Sequence, residues 1–156
     1  MKETTSRKLP AEGEIFELTL DADSIDPISM VGNAGNDPTD WKFEGERLKG
    51  RFTKKFRLLR LGYYVTGSNE AEAQAAAKGC RLARGEWHEA FKAKYPSADG
   101  SDHILFGGKE SKWIDEDGKH RFPALTCSGY FKDWWSKFVH ADDVYYDYWL
   151  WLVEDL

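Results

Sequence analysis

Apolar and polar residues alternate in several short segments, and a period of two residues is typical of strands with one buried face. The pattern is clearest at 14–20, where every second residue is apolar. The other segments that predict strands are 41–43, 48–64, 103–106, 111–114 and 121–125. Residues 44–47 could form the turn of a hairpin between the segments 41–43 and 48–64. The adjacent Lys54 and Lys55 break the alternation and predict a bulge near Lys54.

A helical region is predicted from about residue 69 to residue 95. Asn69 and Glu72 have the spacing of a capping box, and an alanine-rich run follows them. Two glycines farther along predict a break, because each costs about 1 kcal/mol relative to alanine. The second part, 86–94, carries apolar residues at helical spacing. Those on its predicted buried face, including the residue that follows, are Trp87, Ala90, Phe91 and Tyr95.

The remaining segments have the composition of loops and turns. Residues 21–40 are rich in Asp, Asn, Gly, Ser and Pro, which predicts a long loop. Asp115–Gly118 is a strong turn signal between two predicted strands. Residues 144–153 fit either a terminal strand or a short buried helix, and periodicity does not separate the two.

These elements predict an α+β fold: a mostly antiparallel sheet with the broken helical region 69–95 packed on it. Residues 1–10 are expected to be a flexible tail, and residues 11–156 a single domain. Aromatic residues make up 15% of the chain. We therefore expect a core built largely from rings, which bury more area than aliphatic side chains.

The features that report on location favour a soluble cytoplasmic protein. Cys80 and Cys127 are too few for a disulfide framework and fit small buried residues in a reducing compartment. The N-terminus has no apolar run of the kind found in signal peptides. Since no run of apolar residues is long enough to span a bilayer, no membrane association is expected.

Charge is distributed unevenly along the chain, although the net charge is only −5. Residues 11–41 carry eight acids and no base, 42–60 carry eight bases and two acids, and 141–156 carry five acids and no base. An acidic protein is a poor general ligand for the phosphate backbone, so nucleic acid is the less favoured class of partner. The acidic segments instead favour a partner with a basic surface.

The basic segment is the basis of one alternative function, single-stranded nucleic-acid binding through residues 47–64. In this alternative, cationic side chains follow the phosphates while interleaved rings stack on bases. The cations concerned are Lys49, Arg51, Lys54, Lys55, Arg57 and Arg60. A structural interpretation competes with it and is favoured: a basic sheet face neutralised by the acidic segment that precedes it in the chain.

Sequence motifs for chemistry are weak, and they predict no catalytic residue, no metal site and no cofactor. The two Asp-rich turns lack the glutamate that ends a calcium loop. Cys127 could form a thiol dyad if the fold brought a histidine to it, and this keeps a small hydrolase open as a second alternative. The candidate histidines are His103, His120 and His140.

Aromatic residues concentrate at the C-terminal end, where several are adjacent to one another. Neighbouring residues of a strand face opposite ways, so pairs such as Trp134 and Trp135 cannot both enter one core. Rings that reach the surface beside acids have the composition of a protein-binding hot spot. The candidate contact residues are Trp134, Trp135, Asp142, Asp143, Tyr146, Asp147 and Trp149.

Part of the sequence resembles small uncharacterised phage and prophage proteins. The resemblance lies in the run from Gly85 to Leu125, chiefly in Gly85–Pro96, Trp113–Gly118 and Phe122–Pro123, and in the closing Trp149–Val153; the run and the closing segment together span 46 of the 156 residues. It implies action inside a bacterial cell, where such accessory proteins often target host machinery, and it brings no activity or site residues. The sequence therefore predicts a non-enzymatic binding protein, in the manner of a phage accessory factor or inhibitor that acts on a host protein.

Overall fold

The computed structural model describes residues 9–98, 102–127 and 133–156. Most of the predicted tail, and the aromatic residues Tyr130 and Phe131, lie outside these ranges. The helices are α1 (Pro27–Asn33), α2 (Gly67–Ala77) and α3 (Trp87–Lys94), with a 3-10 turn at Ala22–Ser24. The first five strands are β1 (Phe16–Asp21), β2 (Lys42–Glu44), β3 (Arg51–Leu59), β4 (Tyr64–Thr66) and β5 (Cys80–Leu82). The others are β6 (Asp102–Leu105), β7 (Lys112–Ile114), β8 (His120–Cys127), β9 (Trp135–His140), β10 (Val144–Tyr146) and β11 (Leu150–Asp155).

Nine of the strands in the described ranges form one sheet, and β4 and β10 form a separate antiparallel pair. The large sheet has the order β1-β3-β11-β6-β8-β7-β2, with β5 added beside β11 and β9 beside β8. Every pairing is antiparallel except that of β11 with β6. The last strand of the chain therefore lies in the middle of the sheet.

The central strand β11 is buried on both faces. Leu152 belongs to one apolar cluster, whereas Trp151 and Val153 belong to another. Because successive side chains of a strand point to opposite faces, the two clusters lie on opposite sides of the sheet. This two-sided burial explains how adjacent apolar residues can all be core residues.

Helix α3 covers the first face. Its predicted apolar residues are all buried, and Phe91 lies 6.1 Å from the ring of Phe16 and 5.9 Å from that of Phe106. The second face is covered by α2 and by the β4–β10 pair, through Ala71, Val65 and Tyr145. A third cluster, beneath α1, surrounds Trp113. None of the helices in the described ranges is long and apolar enough to cross a membrane.

The predicted fold class is confirmed: an α+β protein with a dominant, mostly antiparallel sheet and aromatic clusters. The break in the helical region is also present, and it contains the short strand β5. The predicted capping box is wrong, because α2 begins at Gly67 rather than after Asn69. The carboxylate of Glu70 instead accepts a 2.6 Å hydrogen bond from the Thr66 N–H. Residues 144–153 form parts of two strands, β10 and β11.

Two local predictions in the first third of the chain are wrong. The strand β2 pairs with β7 and not with β3, so residues 44–47 do not close a hairpin. The register of β1 with β3 is unbroken from Arg51 to Phe56, so there is no bulge at Lys54. The side chain of Lys54 lies on the same side of β3 as the buried Phe56. It is accommodated there because its ammonium lies 3.3 Å from the carboxylate of Glu154. The predicted loop 21–40 contains α1, which begins with Pro27 at its first position, where proline is favoured.

The segment between β5 and α3 is packed too closely for any side chain at Gly85. A Cβ atom there would lie 2.4 Å from the Trp113 ring and 2.8 Å from Pro123. Beside it, Arg84 and Glu86 form a nearly buried ion pair of 3.0 Å. The Ser111 hydroxyl donates to Glu86 at 2.6 Å, so the buried carboxylate is compensated by two partners.

We predict that Gly85→Ala destabilises the fold by about 1–3 kcal/mol, the usual cost of forcing an extra methyl group into a packed core. The matched control is Gly32→Ala in α1, where the nearest atom to a new Cβ is 3.8 Å away. That variant is expected to be neutral or stabilised by up to about 1 kcal/mol. Urea unfolding of both variants measures the difference. Equal stability of the two variants would show that the contact with Trp113 relaxes freely.

Candidate protein-binding surface

Three tyrosine rings form a group on the surface of the β4–β10 pair. Tyr63, Tyr64 and Tyr146 are 74%, 54% and 49% exposed. Their ring centroids lie 6.2–6.3 Å apart, within the range of aromatic contacts. Tyr64 and Tyr146 stand directly opposite each other in the strand register. We call Tyr63, Tyr64 and Tyr146 the tyrosine surface.

The tyrosine surface rests on a well-packed support. Alternation places Val65 and Tyr145, the neighbours of two exposed rings, in the core, where they are 1% and 4% exposed. The ring of Tyr145 lies 5.9 Å from that of Phe122 and 5.6 Å from that of Trp151. In each of the two strands, a buried side chain fixes the backbone in place. The neighbouring tyrosine ring therefore points outward from a rigid position.

Tyr145 also fixes the turn between β9 and β10. Its hydroxyl donates a short hydrogen bond to the carbonyl oxygen of His140, five residues earlier in the chain. Burial is the main cause that raises the pKa of Tyr145 well above its usual value, and the nearby carboxylates of Asp143 and Asp142 raise it further. The phenol therefore stays neutral and remains a donor at physiological pH.

Acidic side chains border the tyrosine surface in sequence. Asp142, Asp143 and Asp147 are all exposed. The Asp143 carboxylate accepts a 2.8 Å hydrogen bond from the Val144 N–H, which orders the turn. In the described ranges, none of the three carboxylates takes part in an ion pair. Their charge is therefore available to a partner.

A second aromatic group adjoins the turn after β10. Tyr148 is 56% exposed, and Trp149 is partly buried against the second face of the sheet. Both rings contact His103, at centroid distances of 5.3 and 5.1 Å. Burial is the main cause that lowers the pKa of His103, so the imidazole is neutral in this apolar setting.

Trp134 and Trp135, both predicted as contact residues, lie in different environments. Trp134 is 9% exposed, and its indole N–H donates to the carbonyl oxygen of Tyr95 at 2.6 Å. Trp135 is 68% exposed on β9, and the ammonium of Lys137 lies 5.5 Å from its ring centroid. Of this pair, only Trp135 is placed where a partner could touch it.

Sequence reasoning did not assign Tyr63 and Tyr64 to the contact surface. Both lie at the end of the basic segment 47–64, where the sequence predicts them only as rings interleaved with its cations. A signal was present in the sequence, since Tyr63-Tyr64-Val65 and Tyr145-Tyr146 both contain adjacent tyrosines. The pairing of β4 with β10 across about eighty residues could not be read from either segment alone.

The basic strand β3 is matched by acids of β1, its neighbour in the sheet. In the register of β1 with β3, Lys55 stands opposite Glu17 and Arg51 stands opposite Asp21. Between these pairs, the hydroxyls of Thr19 and Thr53 are hydrogen-bonded at 2.8 Å. Opposite charges on facing residues are favourable in a sheet. This arrangement supports the structural interpretation of the basic segment.

Three other cations of the basic segment form ion pairs with acids distant in sequence. Lys54 pairs with Glu154 at 3.3 Å, Arg57 with Asp155 at 2.9 Å and Arg60 with Glu12 at 2.6 Å. Arg60 also donates to the carbonyl oxygen of Asp147 at 2.7 Å, which joins β3 to the turn after β10. Phe56, one of the interleaved rings, is fully buried. It cannot stack on a base, and with three of the cations already paired the segment fits the structural interpretation better than the nucleic-acid alternative.

Cys127 has the properties of a structural thiol. It is 4% exposed and belongs to the first-face cluster. Burial, followed by the carboxylates of Asp102 and Asp133, raises the pKa of the Cys127 thiol. A neutral thiol is a weak nucleophile, so the geometry gives no support to a Cys127 dyad. Across the described ranges, no three His, Cys, Asp or Glu side chains are grouped closely enough to hold a metal ion.

Comparison of the chain with protein-family models, with curated proteins and with solved structures gives no match.

We predict that Tyr145→Phe lowers stability near neutral pH by about 1 kcal/mol, since the His140 carbonyl loses its donor. The raised pKa of Tyr145 adds a second effect. The neutral Tyr145 phenol contributes fully to the free energy of unfolding below the unfolded-state tyrosine pKa of about 10. This contribution is lost as the pH rises toward the raised folded-state pKa. Wild type should therefore lose up to about 1.4 kcal/mol per pH unit above about pH 10, and the variant should lack this component.

Urea unfolding between about pH 8 and pH 11 measures both effects. The matched control is Tyr148→Phe, which removes an exposed hydroxyl and should reproduce the wild-type curve. Parallel alkaline slopes in wild type and Tyr145→Phe would contradict the buried-phenol assignment.

Proposed function

We propose that this chain is a binding protein that captures another protein through the tyrosine surface. The observation that carries the proposal is the group of three exposed rings in mutual contact, on strands fixed by buried Val65 and Tyr145. Contiguous exposed rings are uncommon on proteins that do not bind a partner. Binding through such a surface requires no catalytic group.

The chemistry of the three rings fits a binding hot spot. Tyrosine offers a large, rigid contact area with only two side-chain torsions to order, so little conformational entropy is lost on binding. Tyrosine is also among the residues enriched at positions where truncation costs most of the affinity. Because the rings already touch each other in the free protein, their side chains lose less conformational entropy when a partner binds.

The acidic border supports a particular kind of partner. Asp142, Asp143 and Asp147 are exposed and lack ion-pair partners in the described part of the chain. Complementary charge accelerates association and selects against acidic surfaces. The partner is therefore a protein with a basic patch, including a patch of the kind that normally holds nucleic acid. By covering such a patch, the chain would act as an inhibitor.

The resemblance to phage and prophage proteins supports a partner that belongs to a bacterial host cell. In that setting, the chain is an accessory factor that blocks or recruits a host protein. Trp135 and Trp149 are secondary contact candidates, because one is exposed on β9 and the other lies beside exposed Tyr148. Trp134 is left out of the contact surface because it is buried.

We predict that the double variant Tyr63→Ala/Tyr146→Ala loses the partner while the fold survives. Immobilised wild type and variant are exposed to bacterial lysate, and proteins retained by wild type alone are identified by mass spectrometry. The affinity of the purified partner is then measured by calorimetry. Each ring at a hot spot contributes at least about 2 kcal/mol, which is about 30-fold in affinity, so loss of both rings with additive effects should weaken binding by about 700-fold.

The matched control is Ile15→Ser, which removes another exposed apolar side chain far from the three rings in sequence. This variant should bind as wild type does. A second comparison is Asp142→Asn/Asp143→Asn, which should slow association at low salt and converge with wild type at high salt. The proposal is wrong if every partner retained by wild type binds the tyrosine variant equally well.

A further inference from the structure

A serine, a histidine and a glutamate are joined in series where α3 packs on β9. The Nε2 atom of His88 lies 3.1 Å from the Oγ atom of Ser136. Its Nδ1 atom lies 2.6 Å from Oε2 of Glu89. The Nζ atom of Lys92 lies 3.3 Å from the same Ser136 Oγ. The tyrosine surface on β4 and β10 uses none of these residues.

The fold holds the histidine in a fixed orientation. His88 is 4% exposed, and its ring packs edge-on against Phe106 at a centroid distance of 5.4 Å. Ser136 is held by the pairing of β9 with β8, where it stands opposite Leu125. Ser136 and Glu89 are only partly buried, whereas Lys92 is exposed. The histidine is thus fixed from within the core, and the serine is partly exposed to solvent.

The protonation states follow from the hydrogen bonds. The hydrogen bond with His88 is the main cause that holds the pKa of the Glu89 carboxyl below its usual value, so Glu89 is ionised. An ionised carboxylate accepts hydrogen bonds and does not donate them, so a proton of His88 lies on Nδ1. In the tautomer that has its one proton on Nδ1, the lone pair of Nε2 accepts the hydroxyl proton of Ser136.

We infer that Ser136 is an activated nucleophile that accepts acyl groups from small carboxylic esters, with His88 as its general base and Glu89 as a positioning residue. Such a series of nucleophile, base and orienting carboxylate is the geometry by which serine is activated on unrelated folds. Lys92 supplies a positive charge beside Oγ and beside the oxygen anion that forms on attack.

The reaction proceeds by acyl transfer with water as the second reactant. The Ser136 oxygen bonds to the ester carbonyl carbon while its proton passes to Nε2 of His88. The carbon–oxygen bond of the ester then breaks, and the departing alcohol takes that proton. Water attacks the acyl-serine in the same way and releases a carboxylic acid and free Ser136. The substrate class is a short-chain ester, because Ser136 lies on a surface strand.

This site is tested by covalent labelling and by ester turnover. A fluorophosphonate probe, followed by intact mass and peptide mapping, should place one adduct on Ser136, and p-nitrophenyl acetate should be hydrolysed. Ser136→Ala should lose both signals. The matched control is Ser29→Ala, whose hydroxyl donates to Asp26 at 2.9 Å without a histidine. It should be labelled as wild type is.

Variants of the base and of the positioning residue separate chemistry from structure. His88→Gln should slow labelling by about 100-fold or more, the usual contribution of a general base. In His88→Ala, added imidazole should restore part of the rate, an effect that a purely structural role would not show. Glu89→Gln should slow labelling, and Glu89→Asp should recover part of it.

Each of these experiments can overturn the inference. Absence of an adduct in folded wild type, or an adduct on another residue, would reduce the network to a polar contact between α3 and β9. A labelling rate that is unchanged in folded His88→Gln would do the same. These outcomes are independent of the tyrosine surface, because loss of binding in Tyr63→Ala/Tyr146→Ala leaves Ser136 and its partners in place.

Discussion

The structure depends on the burial of β11 between β3 on one side and β6 and β5 on the other. This strand is formed by residues 150–155, so the sheet cannot be completed until this segment has paired with strands from much earlier in the sequence. Its pairings with β3 join residues about ninety positions apart, and such non-local pairings form slowly because loop closure precedes any gain from contact. The closing residues of the chain are therefore the ones on which both halves of the sheet rely.

Because the central strands are buried on both faces, aromatic side chains fill the space on both sides of the sheet. Trp151 fills one face beside Phe122 and Tyr145, while Leu152 fills the other. A sheet covered on both faces needs covering elements on both faces, and here α3 covers one and α2 with the β4–β10 pair covers the other. The small pair of strands has only one face against the core. Its other face is free to carry Tyr64 and Tyr146.

A close backbone contact connects the covering elements. Gly67 has a φ of +83°, and a Cβ atom at this position would lie 2.9 Å from the carbonyl oxygen of Ala141. That same oxygen accepts a 2.8 Å hydrogen bond from the Ser68 N–H. The first turn of α2 is thus bound to the segment that follows β9, and only glycine fits there. This contact sets the position of β4, and hence of Tyr64, relative to β10.

Much of the fold could be predicted from the sequence because its local signals agree with the final structure. The apolar face of α3 was readable from the spacing of Trp87, Ala90 and Phe91, and the turn at Asp115–Gly118 joins β7 to β8 as predicted. Pairing partners were not readable, since alternation shows which face of a strand is buried but not which strand lies beside it. The partner of β2 and the unbroken register at Lys54 were missed for this reason.

The candidate surface was predictable only in part, for the same physical reason. Alternation correctly separated Tyr145 from Tyr146 and Trp134 from Trp135 into buried and exposed members, although it did not show which member was which. The contribution of Tyr63 and Tyr64 required the β4–β10 pairing, which is a tertiary fact. The Ser136–His88–Glu89 series likewise required α3 to be placed against β9.

The distribution of ion pairs explains why the acidic character of the chain is expressed near the tyrosine surface. The basic residues of β3, and Arg60 directly after it, are matched by acids of β1, β11 and the segment before β1, as in the pairs Arg57–Asp155 and Arg60–Glu12. Acids that share a sheet with these bases are neutralised locally and contribute little field at a distance. Asp142 and Asp143 lie on the turn between β9 and β10 and form no ion pair with any residue that the structure describes. The net charge of −5 is thus partly concentrated beside the exposed rings, where charge steers an approaching basic surface.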